Sequence, residues 1–91
     1  MGVTVKIPTQ LRAAAGGDSE AVLEGATVRE VLDGLYERYD GLCERLADES
    51  GSLRRFVNVY VGGEDIRFLD GLDTPVEEGA ELTILPAVAG G

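Results

Sequence analysis

An α+β fold, a small mixed sheet packed on one main helix, is predicted for this 91-residue chain by three observations. Segments near both ends and past the middle alternate apolar and polar residues with the period of a half-buried strand. One central segment repeats its apolar residues with the period of a helix, and glycine, proline and aspartate punctuate the joins. The chain is long enough for one core and one domain, and a helix laid on a sheet buries both apolar surfaces at once.

Val3, Val5 and Ile7 alternate with Thr4 and Lys6 before Pro8, which marks the first strand with its three aliphatic residues inward. Residues 13–18 read as a flexible connection, and Ala21–Glu24 pairs back as a short second strand before Gly25. Thr27 and Glu30 form a capping box, so a helix begins there. Val28, Val31, Leu32, Leu35 and Tyr39 then follow a 3.6-residue period until Asp40-Gly41 interrupts it. Leu42, Cys43 and Leu46 make one more short helical turn, with Cys43 expected to be half-buried, and a polar loop follows at 48–52.

Phe56–Val61, rich in β-branched and aromatic residues, is the strongest strand. Gly62-Gly63 is a tight hairpin turn into Glu64-Asp65-Ile66. After an irregular stretch, Glu81–Leu85 is the last strand, ended by Pro86.

Composition narrows the function. Eight basic against seventeen acidic residues give a net charge of −9, which repels a phosphate backbone and argues against nucleic-acid binding. No histidine is present, which removes the usual general base, the usual metal ligand and every Ser-His or Cys-His nucleophile pair. The lone Cys43 cannot close an internal disulfide. With no apolar run of membrane-spanning length and no signal peptide, the chain is expected to be soluble and cytoplasmic, and not to be an enzyme by itself. Asp70, Asp73, Glu77, Glu78 and Glu81 do not have the spacing of an EF-hand loop, and no metal site is expected. Cys43, with carboxylates nearby, is not a favoured thiolate.

The chemistry points to the end of the chain. Pro86-Ala87-Val88-Ala89-Gly90-Gly91 has neither a charge nor a large side chain in an otherwise highly charged protein. We therefore expect a folded domain over 1–85 and a flexible tail over 86–91. Extended, such a tail spans about 20 Å, enough to carry the Gly91 carboxylate into another protein's active site. Glycines at the tip fit a narrow channel and adopt whatever backbone angles it requires. A carboxylate is a poor electrophile, so Gly91 reacts only after activation, most simply by adenylation with ATP. The acyl-adenylate can accept sulfur, and the resulting thiocarboxylate is a soft, tethered nucleophile.

The strand order around one helix, the segment Phe56-Val57-Asn58-Val59-Tyr60-Val61-Gly62-Gly63-Glu64 and the ending Thr83–Gly91 resemble the MoaD/ThiS family of sulfur carriers over nearly the whole chain. Arg55–Val61, Glu64–Phe68 and Ile84–Gly91 look most like the carriers of the bacterial thiocarboxylate route to cysteine. The resemblance implies a β-grasp, or ubiquitin-like, fold with the last strand between the first strand and the strand at 56–61. It implies an E1-like adenylating and sulfur-transferring enzyme as partner, a pyridoxal-phosphate cysteine synthase as acceptor, a metallopeptidase that releases cysteine, and no permanently bound cofactor. The small subunit of molybdopterin synthase and the thiamine or tRNA-thiolation carriers share the tail chemistry. A ubiquitin-like modifier or noncovalent interaction module is the alternative from another class.

In that arrangement Leu82 and Ile84 face the helix while Thr83 and Leu85 face out. With Val57, Val59 and Val61 inward, Phe56 and Tyr60 join Leu85 on the open face, and Phe68 borders it. Together with Pro86–Gly90 these are the candidate partner-binding residues. The acidic surface serves solubility or steers the chain toward a basic partner.

Overall fold

The structure is a computed structural model that describes residues 2–54 and 57–86. In chain order it contains β1 (Val3–Lys6), a 3₁₀ segment (Thr9–Ala15), β2 (Glu20–Leu23), α1 (Val28–Arg38), α2 (Asp40–Leu46), β3 (Val57–Val61), β4 (Glu64–Asp65), two short 3₁₀ turns (Ile66–Phe68 and Gly71–Asp73) and β5 (Glu81–Pro86). The strands lie in the order β2-β1-β5-β3-β4. β1 and β5 are parallel and every other pair is antiparallel, so the sheet is mixed. With the helices on one face this is the expected β-grasp.

Strand alternation decides which side chains enter the core. Val3, Val5, Val57, Val59, Leu82 and Ile84 are all buried, and they meet Val28, Val31, Leu32 and Leu35 of α1 and Leu42 and Leu46 of α2. Each such aliphatic side chain contributes roughly 1.5 to 3 kcal/mol on transfer from water, most of it offset by chain entropy.

The N-terminus of α1 is built as a capping box with one change. The Glu30 N–H donates to Thr27 Oγ1 at 3.3 Å, while Glu30 Oε1 accepts from the Ala26 N–H at 3.0 Å, one residue earlier than the simplest form of the motif. α1 stops at Arg38, because Tyr39 leaves helical geometry and its hydroxyl donates to Asp18 at 2.6 Å. Asp40 then opens α2 instead of ending the helical region.

Several elements differ from the sequence expectation. Residues 13–15 are not part of a flexible connection. They complete the 3₁₀ segment, whose Leu11 and Ala15 insert into the core, while the chain bends at Gly16 and Gly17, both with left-handed φ. β2 covers Glu20–Leu23 rather than 21–24, because the cross-strand register pairs Lys6 with Glu20 and Val3 with Leu23. Cys43 is exposed, not half-buried, because the inward positions of α2 are Leu42 and Leu46 and the next residue around the helix turns away. Ile66 does not continue β4: the Asp65 carboxylate accepts the Arg67 N–H at 2.8 Å, which turns the chain and drops Ile66 into the core.

β5 runs one residue further than expected, through Pro86, which pairs with Val57. The bond from the Gly62 N–H to the Glu81 carbonyl makes that pair a hydrogen-bonded one, so by alternation Pro86 sits where β3 asks for no donor. Phe56, expected to open β3, and tail residues 87–91 lie outside the described residues.

Candidate functional site

β5 positions the root of the tail. It is the last strand in the sequence but the middle strand in space, held by β1 on one side and β3 on the other. The Gly62-Gly63 turn sets the register on the β3 side. Both residues have left-handed φ, 58° and 90°, as the two-residue turn between twisted strands requires, and glycine adopts this without strain. Tyr60 then falls opposite Thr83, and Asn58 opposite Leu85. On the β1 side Thr4 lies beside Glu81 and Lys6 beside Thr83.

The outer face of the sheet follows from this register. One row crosses all five strands as Glu20, Lys6, Thr83, Tyr60 and Asp65. Leu85 and Asn58 lie on one side of that row, and Val22, Thr4 and Glu81 on the other. Leu85 is 46% exposed, as the outward assignment requires, and Tyr60 is half-buried. These two predicted residues do share the open face. Phe68 is exposed but stands on the 3₁₀ turn after β4 and not on a strand of the face. Phe56 and Ala87–Gly91 fall outside the described residues.

Sequence reasoning missed Val22, which is exposed on the same face. The signal was present: with Ala21 inward, alternation turns Val22 out. It also missed the ion pair across the face, Lys6 Nζ to Glu20 Oε2 at 2.7 Å. Glu20 raises the Lys6 pKa above its ordinary value, so the ammonium stays charged. An opening of about 310 Å³ lies beside this pair, where β1 and β5 separate, and Leu85 forms part of its wall.

An arginine meets an outward backbone carbonyl near each side of the sheet. Arg67 Nη2 donates to the Val57 carbonyl at 2.9 Å beyond the end of the two-residue β4. Arg38 Nη1 approaches the Val22 carbonyl at 3.4 Å on the β2 edge. Charged side chains placed at strand edges in this way discourage pairing with another strand. Elsewhere, burial raises the Tyr36 pKa, and hydrogen bonds from Ser50 hold the Asp48 carboxyl below its ordinary value. Among the described residues no group of three His, Cys, Asp or Glu side chains is placed to hold a metal ion, and no helix is long and apolar enough to cross a membrane.

The described geometry is that of a platform: a central strand with a mixed polar and apolar outer face, ending at the point from which a small-residue tail leaves. Comparison with known proteins agrees with it. The ThiS family model matches residues 5–91. The sulfur carrier protein CysO of Mycobacterium tuberculosis is 50% identical over 93 residues, which cover all of both chains. The crystal structure of the Amycolatopsis orientalis BexX/CysO complex contains a chain 51% identical to this one, with a TM-score of 0.91, covering 99% of this chain and 100% of that one. The solution structure of small archaeal modifier protein 1 from Methanosarcina acetivorans is 37% identical, with a TM-score of 0.84, covering 98% of this chain and 95% of that one. The chain belongs to the ThiS family.

Proposed function

We propose that this ThiS-family chain is a sulfur carrier, a protein cosubstrate and not an enzyme, whose Gly91 carboxylate is converted to a thiocarboxylate that donates sulfur in cysteine biosynthesis. The observation that carries the reading is the 50% identity to a sulfur carrier protein across the full length of both chains, the diglycine end included in the aligned span. The small tail and the absence of histidine support it, since the chain offers a deliverable carboxylate and little means of activating it alone.

In this reading an E1-like enzyme binds the carrier, and the Gly91 carboxylate attacks the α-phosphorus of ATP, releasing pyrophosphate. Hydrosulfide, or a persulfide whose S–S bond a second thiol afterwards reduces, then displaces AMP from the acyl-adenylate and leaves the thiocarboxylate. The sulfur of the thiocarboxylate is a better nucleophile than the original oxygen and forms a C–S bond to the acceptor held by a pyridoxal-phosphate cysteine synthase; the thioester passes its acyl group from sulfur to the neighbouring amine, and a metallopeptidase hydrolyses that amide, freeing cysteine and returning the Gly91 carboxylate. Pro86–Gly90 thread the partner's channel, and Leu85, Tyr60, Phe56 and Phe68 contact its rim. ATP is consumed by the activating enzyme and no cofactor stays on the carrier. The setting is cytoplasmic. That a neighbouring structure is a complex of CysO with BexX supports a working life spent against protein partners.

Intact mass spectrometry after incubation with ATP, a sulfur source and the host's E1-like enzyme tests the reading. The expected result is exchange of one oxygen for sulfur at Gly91, dependent on ATP and abolished by deletion of Gly90 and Gly91. An unchanged mass with a demonstrably active enzyme overturns it. The likeness to a small archaeal modifier protein favours a second reading, in which the activated tail forms an amide with a lysine of another protein. Adducts of the chain on other proteins, with no thiocarboxylate accumulating, would select it.

A further inference from the structure

The opening beside the tail root has a definite origin. β1 and β5 stay paired only as far as Lys6 and Thr83. Pro8 then carries β1 away into the 3₁₀ segment, while β5 continues to Pro86. Neither proline has an N–H to extend the ladder, so the strands part and leave a notch. Its wall includes Lys6, Pro8, Arg12, Glu20, Thr83 and Leu85. Leu85 directly precedes Pro86, the last described residue of β5, so whatever fills the notch lies beside the root of the tail.

The charge in the notch is unusual for this molecule. In a chain with seventeen acidic and eight basic residues, two of the eight lie here. Lys6 is already matched by Glu20 at 2.7 Å. Arg12 is half-buried; its Nε donates to the Ile7 carbonyl at 3.2 Å, and no carboxylate among the described residues pairs with it. Anchoring through Nε leaves the two terminal nitrogens as a fork, the geometry that takes a carboxylate end-on. Pro8 and Leu85 supply apolar walls for the methylene stem of an acidic side chain.

We propose that the notch docks an aspartate or glutamate of the enzyme that activates the tail, its carboxylate on the Arg12 guanidinium. The identity of the partner rests on the sulfur-carrier reading; the chemistry of the notch does not. A body with a net charge of −9 is repelled by an acidic residue almost everywhere on its surface. At this notch the same residue is attracted, so the pair selects the orientation that brings the tail root to the channel mouth.

Steady-state loading by the cognate E1-like enzyme, with the carrier as varied substrate, tests this. Arg12→Glu should raise KM for the carrier about tenfold or more with little change in kcat, and reversing the charge of one acidic residue of the enzyme should restore it. Arg29→Glu, the same charge change in the first turn of α1, where Arg29 meets Asp73 at 3.3 Å and not the notch, should leave KM within about twofold, as exposed surface charges are screened. Equal KM values for the two variants overturn the proposal. If Arg12→Glu melts early, Arg12→Gln replaces it, and an unchanged KM for that variant is equally fatal. If the wild-type chain is not loaded at all, it is the carrier reading that fails. Calorimetric titration of the chain into the same enzyme then decides the docking, which stands only if Arg12→Glu weakens Kd.

Discussion

Two sets of neighbours on β5 live in opposite surroundings. Leu82 and Ile84 are 0% and 1% exposed beneath the helices, whereas Thr83 is half-buried and Leu85 is 46% exposed on the open face. A single strand thus carries part of the core on one side and the approach to the tail on the other. Because the side-chain period is two, the two roles never compete for a position. Stability and transfer should therefore be separable by mutation within six consecutive residues.

The sharpest test is on the inner side. Ile84→Ala leaves a cavity between sheet and helices and should cost about 2 to 5 kcal/mol, read as a lower denaturation midpoint with an unchanged slope. Sulfur loading should survive wherever the variant is still folded. Were loading lost in the folded state as well, the two sides of β5 would not be independent.

The next effect lies on the covering layer. Thr27→Ala removes the oxygen that accepts the Glu30 N–H and should cost about 1 kcal/mol by thermal or chemical unfolding, again without a change in loading KM. On the outer side the signature reverses. Leu85→Ala should change stability by only about 0.5 kcal/mol, as is usual for surface sites, yet raise the carrier's KM in the loading assay. A Leu85 variant loaded as well as the wild type would remove this residue from the docking face.

The smallest effect belongs to the Lys6–Glu20 pair. The folded-state pKa of Lys6 is raised by Glu20, so its contribution is fully present below the ordinary lysine value and is lost as pH rises through the raised one. Stability should show a slight extra decline above about pH 10 that Glu20→Gln abolishes, and salt should weaken it because both side chains are about half exposed. No decline in the wild type relative to Glu20→Gln would mean that the pair is only a surface contact.

Much of this was legible in the sequence because it is local. Alternation assigned the inward residues of β1, β3 and β5, and Thr27 with Glu30 announced α1. The 3₁₀ segment was not legible, since Ala13-Ala14-Ala15-Gly16-Gly17 has the composition of a linker. Its order comes from Leu11 and Ala15 reaching a core assembled elsewhere, and from Ala14 lying against Gly41, where an added methyl group would come within 3.3 Å. The exposure of Cys43 was equally hidden, because two turns of helix hold too few apolar residues to fix the phase before the partner surface is known. Tyr60 and Leu85 were placed on the open face by alternation together with the family resemblance, and the same alternation, carried along β2 from an inward Ala21, places Val22 there.

By itself the sequence determined most of the strands, the main helix, the inward residues of β1, α1, β3 and β5, and the composition of an uncharged tail ending in two glycines, all written in spacing and composition along the chain. The family resemblance placed β5 between β1 and β3, as it stands; only the tertiary structure decided the register of β5 against β1 and that Arg12 and Leu85 share a notch. The β1–β5 pairs and the two notch residues lie more than seventy positions apart in the chain, and their meeting is set by hydrogen-bond register and by where two prolines stop a ladder, quantities that no local pattern encodes.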